Sequence, residues 1–181
     1  MARTNNTDAD RIASFVEQIE ADPMRARKTQ VIEGQWIFGD GGPQFRSQIR
    51  FEGGEAVFEI DNPTFMGGSG TMPGPMHYCF FGLASCYTSV FVAAATGLGV
   101  VLDSVTTRVE ADMNFSRVFG ISDEPIMEEV RVILHVATSS GQEKVREAEE
   151  LALERCPVVY TLRNQIKLVP SLEISTEQRD C

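Results

Sequence analysis

Apolar and polar positions recur along this chain with two periods, and the changes of period mark out its elements. Ile12, Phe15, Val16 and Ile19 share one helical face, which predicts an amphipathic helix capped by Thr7 and ending near Ala21. Runs with strand character follow at residues 29–38, 44–51 and 56–60, divided by the turn sequences Asp40-Gly41-Gly42-Pro43 and Gly53-Gly54. The glycine-rich stretch from Met66 to Gly74 reads as a flexible hinge. Pro75 suits the first position of a helix, where its missing N–H costs nothing. The helix it opens, running to about Ala95, is apolar almost all round. Further on, Val105, Val109, Ala111, Met113 and Phe115 share one parity while Thr106, Arg108, Glu110, Asp112 and Asn114 share the other, predicting a half-buried strand. Val130, Val132, Leu134 and Val136 predict a second. Val145, Ala148, Ala152 and Cys156 then recur at helical spacing until Pro157 interrupts. A short helical piece reaches about Arg163, and residues 166–174 read as a last strand.

This order of helix, three strands, long helix, two strands, broken helix and strand predicts an α+β fold, with helices segregated against a largely antiparallel sheet. No internal repeat or second domain is visible, so residues 1–181 read as one domain carrying an appended helix over about residues 1–25.

Charge changes the picture in one place. No Asp, Glu, Lys or Arg occurs between Asp61 and Asp103. The helix inside that gap is long enough to cross a bilayer, but it carries Tyr78, Ser85, Tyr87, Thr88, Ser89 and Thr96 and lacks basic flanks, so a buried helix is expected. A helix apolar on every side needs cover on every side, and in 181 residues a second subunit is the expected source. The formal net charge of −10 disfavours nonspecific nucleic-acid binding, which relies on cations neutralising phosphates. The N-terminal residues carry no apolar segment of signal-peptide type, and four cysteines without secretory context favour reduced thiols in the cytoplasm. No zinc-ligand spacing or phosphate-loop motif occurs, so neither metal nor cofactor is expected.

Two cysteines carry the candidate chemistry. Cys156 ends an apolar helical stripe, the usual place of a buried small hydrophobe. Pro157 adds to this by starting a new helix at whose N-terminal end the Cys156 thiolate would be stabilised. Cys86 sits mid-helix beside Ala84 and Ser85 and four residues after Gly82, small residues that let another element or a substrate approach. Nothing local lowers its pKa, so a nucleophilic role needs a cation from elsewhere, and Arg46 and then Arg50 are the candidates. Cys79, two turns before Cys86 and about 10 Å away along the axis, is too far for a disulfide within the helix and reads as core. Cys181 reads as a tail thiol. His77 is half a turn out of phase with Cys86, which disfavours a dyad within one chain. Phe80, Phe81, Phe91 and Phe115 are candidates for an apolar substrate surface, or plain core.

From about Gln30 to Ile174 the chain resembles the OsmC/Ohr family, named for osmotically induced protein C and organic hydroperoxide resistance protein. Gly67-Gly68, then Pro75-Met76 and a long helix containing Cys86, are similar to the family's central motif. Cys156-Pro157-Val158 is similar to its second cysteine motif. The resemblance implies an intertwined homodimer with packed central helices and two equivalent sites near the interface. It implies that Cys86 attacks a hydroperoxide, that Cys156 resolves the sulfenic acid as a disulfide, and that a dithiol reductant recycles the pair. That order reverses the local argument, which favoured Cys156 as the more activated thiol. It also implies an activating arginine, assigned first to Arg46; His77, Phe80 and Phe81 stand as the candidate substrate-binding residues. Catalytic branches of the family place a glutamate where this chain has Met76 and His77. The expected function is therefore a cytoplasmic thiol-dependent peroxidase acting on organic hydroperoxides; the alternative is a non-enzymatic dimeric binding or redox-responsive protein with no nucleic-acid or membrane partner.

Overall fold

A computed structural model describes residues 3–39 and 41–174. Asp40 and the Cys181 tail thiol lie outside the described residues. The elements in order are α1 (Ala9–Ala21), β1 (Gly34–Trp36), β2 (Phe45–Phe51), β3 (Gly54–Ile60), α2 (Pro75–Gly97), β4 (Ser104–Glu110), β5 (Arg131–Ala137), α3 (Gln142–Arg155) and α4 (Pro157–Arg163). The fold is α+β with antiparallel sheets and a long helix, as the pattern predicts. The strands form two separate sheets, β1-β2-β3 and β4-β5, rather than one.

The long helix α2 organises everything else. Pro75 occupies its first turn, and the Gly74 N–H donates to His77 Nδ1 at 3.1 Å, which satisfies one donor at the helix start. It ends where Gly99 takes φ +72°, a conformation that costs glycine little, and Val100 N–H donates back to Ala95. Leu83, Tyr87, Phe91 and Ala95 form the buried stripe of α2, closed by Val100 and by Ala148, Ala152, Cys156 and Val159. Ala148 and Ala152 are the predicted apolar stripe of α3, and their small side chains let the two helices approach closely. Thr88 and Thr107 hydroxyls join α2 to β4. The helix α2 is long and apolar enough to cross a membrane, and this packing buries one stripe of it, leaving most of its surface only partly covered within one chain.

Several sequence expectations are corrected. The cap of α1 is Asp8, whose carboxylate accepts from Arg11 N–H, and not Thr7. The apolar stripe of α1 is left half-exposed, with no residue of the helix buried. Of the run 29–38, only Gly34–Trp36 is strand. The run 105–115 stops pairing at Glu110. Residues 166–174 are exposed and in no ladder. The physical reason is shared: alternation licenses a strand, but only a partner edge makes one, and none of the chain's own edges pairs with these runs. The glycine-rich stretch is no hinge. Asp61, 1% exposed, accepts from Ser69 N–H, Thr71 N–H and the Thr71 hydroxyl at 3.0–3.1 Å, clasping the loop that leads into α2.

Candidate functional site

The two predicted cysteines meet. Cys156 is at once the C-cap of α3, donating its N–H to Ala152 at 3.0 Å, and the N-cap of α4, its carbonyl accepting from Tyr160 N–H at 2.8 Å. Pro157 enforces the break, because it cannot continue the α3 hydrogen-bond ladder and is preorganised to start α4. The chain therefore turns at Cys156 and presents its thiol to α2. Cys156 Sγ lies 3.5 Å from Cys86 Sγ, and both thiols are free.

The two sulfurs have different surroundings. Cys156 is fully buried, whereas Cys86 is partly exposed. Burial pushes the Cys86 thiol above its ordinary range; a hydrogen bond from the Val158 N–H opposes this, and the neighbouring Cys156 adds to the upward push. The Val158 N–H belongs to the first turn of α4, so the start of that helix favours the Cys86 thiolate. No cation is among the influences on Cys86.

The predicted arginine is elsewhere. Arg46 pairs with Glu59 across β2 and β3, Nε to Oε1 at 2.6 Å, and is half-exposed. Strand parity explains this: Phe45, Ser47 and Ile49 face the N-terminal part of α2, which turns Arg46 and Arg50 to the other side of the sheet. Neither arginine joins the thiols within one chain. His77 is an exposed helix cap and stands apart from the sulfurs.

Phe81 does line an apolar groove of about 500 Å³ with Trp36, Phe45, Ile49, Phe58 and Tyr78. Tyr78 packs edge-on to Phe58 and donates to Glu59 O at 2.8 Å, so it joins the three-stranded sheet to α2. Phe80 is half-buried and lies outside the groove lining. Phe91 is wholly buried core, and Phe115 stacks on Phe65 at 5.1 Å; neither faces the groove. Cys79 is exposed, against the expectation of core, because its turn of α2 precedes the stretch that α3 covers. Two contributors escaped the sequence reading. The Val158 amide leaves no mark in a side-chain pattern. Asp61 does leave one: it is the last charge before the uncharged stretch and precedes the glycines that its carboxylate holds.

With this geometry in view, the comparisons are decisive for family. The sequence profile of the OsmC-like proteins matches residues 68–171, from the clasped loop through both cysteines. The chain belongs to the OsmC-like family. Its fold is similar to that of an OsmC-like protein from Mycoplasma pneumoniae, at 13% identity and TM-score 0.52, covering 75% of this chain and 89% of that one. It is also similar to the organic hydroperoxide resistance protein OsmC from Legionella pneumophila, at 18% identity and TM-score 0.51, covering 76% and 92%. A third likeness is to a protein proposed to confer organic hydroperoxide resistance in Vibrio cholerae, with captopril in one of its active sites (21% identity, TM-score 0.50, 76% and 87% covered). No curated protein sequence matches the chain significantly.

Proposed function

We propose that this OsmC-like chain is a cytoplasmic, homodimeric thiol-dependent peroxidase that reduces organic hydroperoxides by a Cys86/Cys156 cycle. The observation that carries the proposal is the 3.5 Å approach of a partly exposed sulfur to a buried one. A peroxide reaches Cys86 first. The Cys86 thiolate attacks one peroxide oxygen, the O–O bond breaks, and the alcohol leaves with a proton while Cys86 becomes a sulfenic acid. Cys156 then attacks the Cys86 sulfur, forming the disulfide and expelling the oxygen as water. Two thiols of a dithiol reductant become its own disulfide and restore the pair. Family membership and the hydroperoxide-resistance relatives support the same reading.

The test is consumption of tert-butyl hydroperoxide by purified protein with excess dithiothreitol. Cys86→Ser abolishes turnover, because serine forms no sulfenic acid. Cys156→Ser reacts once and then stalls, with one added oxygen on Cys86 by mass spectrometry. Oxygen trapped on Cys156 in the Cys86→Ser protein, with none on Cys86 in the reverse variant, inverts the assignment.

One observation favours the second reading, a redox-responsive protein without rapid turnover. The Cys86 thiol is held high by burial, and no cation among the described residues is an influence that reverses this. Stoichiometric oxidation of the pair without sustained consumption would decide for it.

A further inference from the structure

Behind the thiol pair, Tyr87 of α2 is 3% exposed, and its hydroxyl makes no hydrogen bond among the described residues. Every buried side-chain oxygen or nitrogen fully shut off from solvent is paired, so the Tyr87 hydroxyl owes its openness to the space it faces. That space is a cavity of about 550 Å³ between α2, α3, α4 and β5. A tyrosine oxygen this deep ordinarily finds a partner, and phenylalanine would fill the same volume without one.

The walls define what fits. Leu83, Val130, Val132 and Val159 supply an apolar body site, and 550 Å³ is within the range of small-molecule pockets. The polar end is the buried Tyr87 hydroxyl together with Glu149, an exposed residue on the same lining. After burial, the Glu149 carboxylate is the chief influence raising the Tyr87 phenol. Glu149 forms no ion pair among the described residues, and Glu128 stands at the same cavity. The one cation on the lining, Arg163, closes the last turn of α4. A phenol oxygen and a carboxylate together accept N–H groups, and a protonated primary amine offers three.

We propose that this cavity binds a small organic ammonium compound, its apolar body against Leu83, Val130, Val132 and Val159 and its amine held by the Tyr87 hydroxyl and Glu149. The site is separate from the thiols, since neither sulfur lines it, and it does not depend on the peroxidase reading.

Isothermal titration calorimetry of the full-length reduced protein with phenethylamine tests this, using 3-phenylpropionate and 2-phenylethanol as charge-reversed and neutral probes of the same shape. The expected result is saturable binding of one phenethylammonium per chain, with weaker binding of the alcohol and none of the acid. Tyr87→Phe and Glu149→Gln should each weaken binding by about tenfold, the loss of one hydrogen bond to a charged donor. Melting temperatures should be unchanged, because neither side chain has a protein partner to lose. Cys86→Ser should bind as the unmodified chain does, which separates this site from the peroxidase cycle. Absence of saturable amine binding, preference for the acid, or affinity unmoved by both substitutions would overturn the proposal.

Discussion

Oxidising the thiol pair closes a covalent loop between residues 86 and 156, a separation of 70 positions. In the chain-entropy account, such a cross-link removes conformations from the unfolded ensemble and stabilises the folded state by up to about 4 kcal/mol for a loop of this length. For a chain of this size, each kcal/mol moves the melting temperature by roughly 2–4 °C, so the ceiling is a rise of about 8–16 °C. The native state gives some of this back. The sulfurs must close from 3.5 Å to the bonded distance of about 2.05 Å, and the burial that Cys86 and Cys156 already share contributes to both forms. The joint between α3 and α4 at Cys156 is where that movement falls, and a rise of roughly 5–10 °C is the expected outcome. The assay is differential scanning calorimetry at fixed protein concentration. Protein treated with one equivalent of tert-butyl hydroperoxide is compared with protein held in dithiothreitol. Cys86→Ser and Cys156→Ser should each abolish the rise, and Cys79→Ser should retain it. A non-reducing gel should show the oxidised species migrating as a single chain. A shift below about 2 °C with both thiols consumed would refute the loop-closure argument, whose scale is several kcal/mol. A shift surviving loss of either sulfur would show that another pair is bonding.

The clasped loop yields two further predictions. A Cβ at Gly68 would stand 1.9 Å from the Asn62 carbonyl oxygen, so Gly68→Ala should cost about 1–3 kcal/mol by urea unfolding, and an unchanged midpoint would refute the clasp geometry. The Thr71 N–H, assisted by Ser69 N–H and the Thr71 hydroxyl, holds the Asp61 carboxyl below its usual range against its burial. Its contribution is present above the unfolded carboxyl's pKa of about 3.9 and is lost as pH falls through the lower folded value, so Asp61→Asn should flatten the acid limb below about pH 4. An acid profile parallel to that of the unmodified chain would exclude Asp61 as the source. Sedimentation at micromolar concentration should give twice the 20.0 kDa chain mass, and a stable single-chain mass at tens of micromolar would refute the homodimer.

What the sequence revealed and what it hid follow from range. The α2, α3 and α4 helices, β4 and β5 declare themselves because their apolar stripes are buried by neighbours in the same chain. Pro157 marks the joint at Cys156 because proline's effect on the backbone is local. The placement of Arg46 failed on parity: Phe45, Ser47 and Ile49 alternate with it and are the residues that face α2. The amide that favours the Cys86 thiolate was invisible because it is backbone, at Val158, 72 positions later in the chain. The open hydroxyl of Tyr87 was likewise hidden, since tyrosine beside a core cysteine has the same pattern whether or not its oxygen is satisfied.

The remaining mismatches share one cause. Residues 29–33 and 166–174 have strand alternation without a strand, and Phe38, Leu168, Leu172 and Ile174 are each at least 80% exposed. Burying each of these side chains would contribute about 1.5–3 kcal/mol, a gain open to a second copy of the chain. Cys86, for its part, has one amide favouring its thiolate and burial opposing it, with no cation among the described residues acting on it. The unpaired strand runs need an edge, the exposed apolar residues need cover, and the thiol needs a positive charge. Association of two chains, as proposed, meets the first two needs by strand pairing and burial. It also meets the third if an arginine on one chain's exposed sheet face, such as Arg50, reaches the other chain's Cys86. Dissociating the dimer should therefore slow the reaction of Cys86 with hydroperoxide as well as lower stability, two losses from one event.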